Sequence, residues 1–257
     1  MDKPFDAFGH MPELPQVARV EPQRALRWLK LGWEDFRHNP GPSIAHGLLL
    51  VAMGWLILLF CSTHIDLLAA AVSGFLLVGP VFGAGFYELS RLREAGQAAT
   101  FDASIEGAVR NGKSLTSLGL VLAILAIAWV LLSSLLLGVA FGGTPPSVHD
   151  IFYRTILEWN YTGFFITYMT TGAIFALVAF ALSAVAAPML FDRAVDTKTA
   201  MLTSLKALGV NPAAMLIWAA MIAVLTAIGF ALFLLGLVII VPVLGHATWH
   251  AYRDLIG

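Results

Sequence analysis

Five long stretches of this chain hold no Asp, Glu, Lys or Arg, and nothing else in the sequence limits the fold as much. They cover residues 39–65, 67–87, 114–148, 159–191 and 207–252. About 20 uncharged apolar residues suffice to cross the hydrocarbon core of a bilayer as a helix. In lipid a helix also satisfies its own backbone N–H and C=O groups. The first four stretches each read as one transmembrane helix; the fifth is too long for one and divides near Gly229 into two. The total is six. Composition agrees, since 59% of the 257 residues are hydrophobic and 12% charged, whereas a soluble domain carries about a quarter charged residues.

Basic residues near span ends are retained on the cytoplasmic side. With six spans, Arg154 is the only one of the 15 Lys and Arg residues to fall outside. Both termini are therefore expected in the cytoplasm. A mostly polar segment precedes the first apolar run, so no cleavable signal peptide is expected and the first span serves as the insertion signal. A single cysteine, Cys61, gives no disulfide framework or Cys-pair metal site. A net charge of −1 argues against nucleic acid, which demands a clustered excess of Lys and Arg.

A short amphipathic segment ending in an asparagine precedes each odd-numbered span, and the three segments superpose without a gap. Leu29, Trp33, Phe36 and Asn39 match Phe101, Ile105, Ala108 and Asn111, which match Met201, Leu205, Leu208 and Asn211. Spacings of four and three place the first three of each set on one helical face. Pro40 and Pro212 follow the first and third asparagines and mark elbows. The expected architecture is an all-α membrane protein of six transmembrane helices in three helical-hairpin repeats, each preceded by a short cytoplasmic interfacial helix. The repeats cover residues 22–95, 100–193 and 196–257 of a single membrane domain, residues 22–257, behind a flexible cytoplasmic tail, residues 1–21. The first and third return helices extend the match, with Pro80, Gly83, Tyr87, Glu88 and Arg91 aligned on Pro242, Gly245, Trp249, His250 and Arg253. In the middle unit Pro188 is followed after four residues by Asp192, about one turn early. An external loop, residues 142–162, carries apolar residues at helical spacing and is expected to seat a short helix on the outer leaflet.

The runs LGWEDFRHNPGPS, GFLLVGPVFGAGFYELSR and LGHATWHAYRDLIG resemble the bacterial integral membrane family of domain of unknown function 2189, and the likeness extends over nearly all of the chain after about residue 19. The resemblance implies an inner-membrane protein and no particular activity. Relatives sometimes carry a cytochrome-oxidase label, but a haem-copper core needs about six embedded histidine ligands, and this chain has too few.

Two constellations bear on chemistry. His246 and His250 are four apart on one helical face, and His46 begins the first span at a similar depth. Together they form a candidate three-nitrogen metal or haem set, against which stands the ordinary preference of histidine for helix C-termini. Glu88, Arg91, His250 and Arg253 form a candidate polar cluster, because a carboxylate at a membrane boundary favours a nearby cation over bare exposure. Gly79 with Gly83 and Gly138 with Gly142 are small-xxx-small pairs suited to close helix packing. No phosphate loop, nucleophile elbow or zinc-protease motif is present. No catalytic residue and no cofactor is expected. The leading reading is a non-catalytic scaffold, assembly or regulatory component of a membrane complex, in contact with the bilayer and with another membrane protein or a respiratory complex. The rivals are a transporter of an uncharged or lipid cargo, and a metal- or haem-binding accessory subunit.

Overall fold

The computed structural model describes residues 14–61, 72, 79–80, 82–110, 112–142 and 161–257. Among these residues all regular structure is helical. In chain order the helices are α1 (Arg24–His38), α2 (Pro40–Cys61), α3 (Ala84–Glu94), α4 (Phe101–Arg110), α5 (Gly112–Phe141), α6 (Thr162–Ser183), α7 (Ala186–Asp192), α8 (Thr197–Val210), α9 (Pro212–Ala231) and α10 (Leu237–Ile256). Among the described residues four helical segments are long and apolar enough to cross a membrane: Pro40–Cys61, Leu115–Phe141, Thr162–Asp192 and Pro212–Ala231. Most of the second expected span, residues 67–87, and nearly all of the external loop at 142–162 lie outside the described residues.

Helices fall where the amphipathic segments were expected, namely α1, α4 and α8. Asn39 and Asn211 act as elbows, each serving two helices. Their N–H groups close the preceding helix on Asp35 and Ala207, and their carbonyls accept the first bonds of the next from Ser43 (3.4 Å) and Met215 (3.0 Å). Pro40 and Pro212 follow at the first helical position, where the missing N–H costs nothing. The last apolar stretch divides at residues 232–236. Phe233 and Leu234 adopt φ of 53° and 68° there, a conformation that L-residues rarely accept, and burial of Leu234 against Val51 and Leu237 holds it.

The fourth expected span, residues 159–191, is interrupted between α6 and α7. Pro188 removes one N–H, and its ring crowds the carbonyl four residues back, at Ala184. The amide N–H of Val185 turns out of the helix to Ser204 Oγ at 3.2 Å. From Ser183 to Phe191 every residue is buried, so this short run is the middle of the core.

The core sits at one end of the molecule. Trp28, Tyr87, Met189, Leu190, Trp249, Tyr252 and Leu255 are fully buried there, among small residues at Ala25, Ala186, Ala187, Ala200, Ala207 and Ala247. Away from it the long helices expose apolar faces, Phe60 by 77% and Val139 by 78%. Such surface suits hydrocarbon rather than water. Close backbone approach occurs at Gly32, where an added Cβ would strike the Val243 carbonyl and Ala247, and at Gly47, where it would strike the Val238 carbonyl. Among the described residues a Cβ at Gly79, Gly138 or Gly142 would meet nothing, and at Gly83 it would meet the Tyr87 side chain one turn on.

The tail is not free throughout. Residues 14–20 run across the core end, with Ala18 N–H on the Leu255 carbonyl (2.8 Å) and Lys206 Nζ on the Pro15 carbonyl (3.0 Å). The Asn211 amide grips both Val20 N–H and the Ala18 carbonyl. A buried Asn has four hydrogen-bonding sites to satisfy, and extended backbone offers partners for two of them.

Candidate functional site

Four helices, α1, α2, α3 and α10, bring their polar residues together at the core end. The hub is Asp35, on the face of α1 that carries Trp28 and Gly32 into α10. Asp35 is buried, and Arg93 Nη1 and His250 Nε2 (2.9 Å) reach it from two different helices. Ser90 Oγ donates to Asp35 Oδ2 at 2.5 Å. Burial by itself raises the Asp35 carboxyl. The hydrogen bonds from His250 and Ser90, followed by smaller electrostatic effects of the two histidines, outweigh it and hold the group below the usual carboxylate range.

The chain of contacts continues inward. Ser90 Oγ meets His246 Nδ1 at 2.8 Å, and His246 Nε2 meets Ser43 Oγ at 3.0 Å. Because the Ser90 proton is spent on Asp35, Nδ1 of a neutral His246 ring must be the donor to Ser90, which leaves Nε2 as acceptor. Ser43 divides its single proton between that nitrogen and the Asn39 carbonyl, 2.8 Å away. An Asp–Ser–His–Ser sequence of this kind has the parts of a nucleophile relay. Ser43, Ser90 and His246 are all fully buried, however, so the arrangement closes on itself and ties helices together.

The residues of the sequence-derived cluster all lie at this end, in two linked groups. Glu88 and Arg91 form a two-pronged pair at 2.6 and 2.7 Å, which holds Arg91 above its usual value against the opposing effect of burial. His250 and Arg253 converge on Glu94 at 3.8 and 3.5 Å. Asp192 lies between the groups, 4.0 Å from Arg253 and close enough to act on Arg91. It also accepts a hydrogen bond from Tyr252 at 2.6 Å. Asp35, Glu94 and Asp192, which carry the linkage, are the acids that sequence reasoning missed.

The three histidines do not converge. His46 Nε2 is bonded to Ser104 Oγ at 2.7 Å, His246 to two serines and His250 to Asp35. The Phe86 ring stands between the first two, with centroids 5.4 Å from His46 and 5.6 Å from His246. Among the described residues no group of three or more His, Cys, Asp or Glu is disposed to hold a metal.

Beneath the polar layer three aromatic rings meet, one each from α3, α7 and α10. Tyr87, Phe191 and Trp249 are separated by 6.1, 6.4 and 6.4 Å between centroids, and all three are buried.

Apolar helices long enough to span a bilayer, packed at one end under a polar layer, define an integral membrane protein. Residues 67–192 match the family model described as predicted integral membrane protein (DUF2189), so the resemblance drawn from the sequence holds over that part of the chain. No curated protein and no solved structure matches the chain.

Proposed function

We propose that this chain is a non-catalytic membrane scaffold, an assembly or regulatory component of an inner-membrane complex, built of three in–out helical hairpins joined in a closed ring at the cytoplasmic face. The observation that carries the reading is the triangle of Tyr87, Phe191 and Trp249. If the three units are equivalent, the triangle lies on their common axis and fills it with rings, where a carrier working along that axis would keep a polar cavity.

Equivalent contacts support the threefold arrangement. Counted from the aromatic residue, position +1 is Glu88, Asp192 or His250, and position −4 is Gly83, Ala187 or Gly245. Counted from the asparagine of each elbow, position −4 is Asp35, Gly107 or Ala207. Asp35 of α1 meets His250 of α10, and a Cβ on Gly107 of α4 would strike the Glu88 carboxyl of α3. The same two positions thus touch twice. Position −7 gives a second pair: Gly32 lies against Val243 of α10, and Ser204 of α8 accepts from Val185, just before α7. Each elbow helix packs on the return helix of the preceding unit, and α1 of the first packs on α10 of the last, which closes the ring.

An interfacial seat for the elbow helices is supported by one exposed apolar residue at the same register on each. Trp33, Ile105 and Leu205 are 43%, 41% and 41% exposed, a disposition suited to the acyl boundary of a bilayer. Ionisable groups gathered at one face and bonded to one another serve as ties between helices; a proton or ion carrier usually keeps such groups near the midplane.

Isolation of the full chain in mild detergent tests the function, with mass spectrometry of what accompanies it. A second membrane protein at fixed stoichiometry is expected. Turnover by the purified chain, or lipid or uncharged-solute flux across reconstituted vesicles above that of empty ones, would overturn the scaffold reading.

A further inference from the structure

Outside the closed polar layer there is a cleft of about 220 Å³ between the first turns of α1 and the last turn of α10, lined by Arg27, Trp28, Leu31, His250, Arg253 and Asp254. We propose that this cleft binds a phosphate group, presented either by a phospholipid headgroup or by a soluble phosphate ester. The proposal goes beyond the scaffold reading and does not depend on it.

The cations are arranged for such a ligand. Arg27 is exposed and, among the described residues, makes no ion pair. Arg253 approaches from the opposite helix. Its contacts to Glu94 and Asp192, at 3.5 and 4.0 Å, are too long for full hydrogen bonds, so its N–H groups remain available. A guanidinium presents a planar fork that matches two phosphate oxygens at once, and the cleft is lined by two of them, one from each helix. The imidazole of His250 stands in the wall between them. The one carboxylate in the lining, Asp254, already has partners of its own. Its Oδ2 accepts from Trp28 Nε1 at 2.8 Å and faces Arg24 Nε at 3.4 Å.

The remaining walls are apolar, formed by the Trp28 ring and Leu31. A cleft of about 220 Å³ has room for a phosphate with part of its ester and bridging solvent. Leu26, on the turn next to Arg27, is exposed by 62%. An apolar side chain beside a basic cleft is what a headgroup meets when its acyl chains lie alongside, and basic pockets between helices at the cytoplasmic face are suited to anionic lipid.

The test uses the full chain in neutral detergent, followed by thermal unfolding and binding titrations at matched ionic strength. The probes are glycerol 3-phosphate, inorganic phosphate, and mixed micelles containing phosphatidylglycerol or phosphatidylcholine. Saturable stabilisation is expected, with affinity at least tenfold weaker in Arg27→Gln and unchanged in Lys30→Gln, a nearby exposed cation outside the cleft. A response confined to phosphatidylglycerol identifies the headgroup as the source; a response to glycerol 3-phosphate or inorganic phosphate identifies a soluble ester. Arg253→Gln should weaken binding likewise. Because that variant also loses its contacts to Glu94 and Asp192, the exposed and unpaired Arg27 decides the matter if it misfolds. No saturable response to any probe, or equal losses in Arg27→Gln and Lys30→Gln, would overturn the proposal.

Discussion

Asp35 is the residue on which most of the polar layer depends, since Arg93, Ser90 and His250 each spend a donor on it. Removing one partner of a buried charged set leaves the others uncompensated, at about 3–5 kcal/mol. Asp35→Asn should therefore lower the melting temperature in detergent far more than Glu34→Gln, an exposed neighbour. The pH dependence has a definite sign. The Asp35 carboxyl is held below its ordinary value in the folded chain, so the unfolded chain takes up the proton first as pH falls. The contribution is present above about pH 4, the ordinary range for Asp, and is lost as pH drops through the folded value. Melting temperatures measured from pH 6 downward should show a steeper acid decline in the wild type than in Asp35→Asn; parallel curves would show that Asp35 does not carry it. Asp35 was not legible in the sequence because the apolar stripe of α1 was read one residue late. Leu29, Trp33 and Phe36 have the same spacing as Trp28, Gly32 and Asp35; the second set is buried throughout, whereas in the first Phe36 is buried, Leu29 half-buried and Trp33 exposed. The small residues Ala25 and Gly32 were the signal, because only a small residue lets two helix backbones touch.

At the scale of the helix, the contact between α1 and α10 depends on the absence of a side chain at Gly32. A Cβ there meets backbone atoms of Val243 and Ala247, which cannot rotate aside, so Gly32→Ala should destabilise by about 1–3 kcal/mol through overpacking. Gly209 in α8 faces open space. There alanine should raise stability by about 0.5–1 kcal/mol, through helix propensity alone. Thermal unfolding of the two variants side by side checks both signs, and a neutral Gly32→Ala would mean that the helices are not in contact. The elbows were legible, because Asn followed by Pro ends one helix and starts the next by elementary sterics. The break between α6 and α7 was not. An uncharged apolar run shows no interruption in its hydropathy, and Pro188 alone does not reveal that Ser204 of another helix takes the Val185 amide.

For the whole molecule, the gaps in charge located the four apolar helices found among the described residues without any structural knowledge, since the cost of a charge in hydrocarbon acts on every residue of a span. The middle unit resisted alignment for a specific reason. Pro80 and Pro242 lie seven residues before Tyr87 and Trp249, but Pro188 lies three before Phe191, so matching prolines shifts that unit by one helical turn. Under the proposed repeat, matching the aromatic corners instead would place Asp192 beside Glu88 and His250. Three-dimensional contact, which a single sequence does not display, supplies that register. The central claim is three in–out hairpins with every elbow helix on one face. Its most direct test is labelling of single cysteines, in a Cys61→Ala background, with a maleimide that cannot cross the membrane. Cysteines at the exposed positions Lys30, Gln97 and Lys198 should react only after the cells are permeabilised, and cysteines at Gly142 and Phe233 should react in intact cells. Labelling of Lys30→Cys, Gln97→Cys or Lys198→Cys from outside would contradict the account.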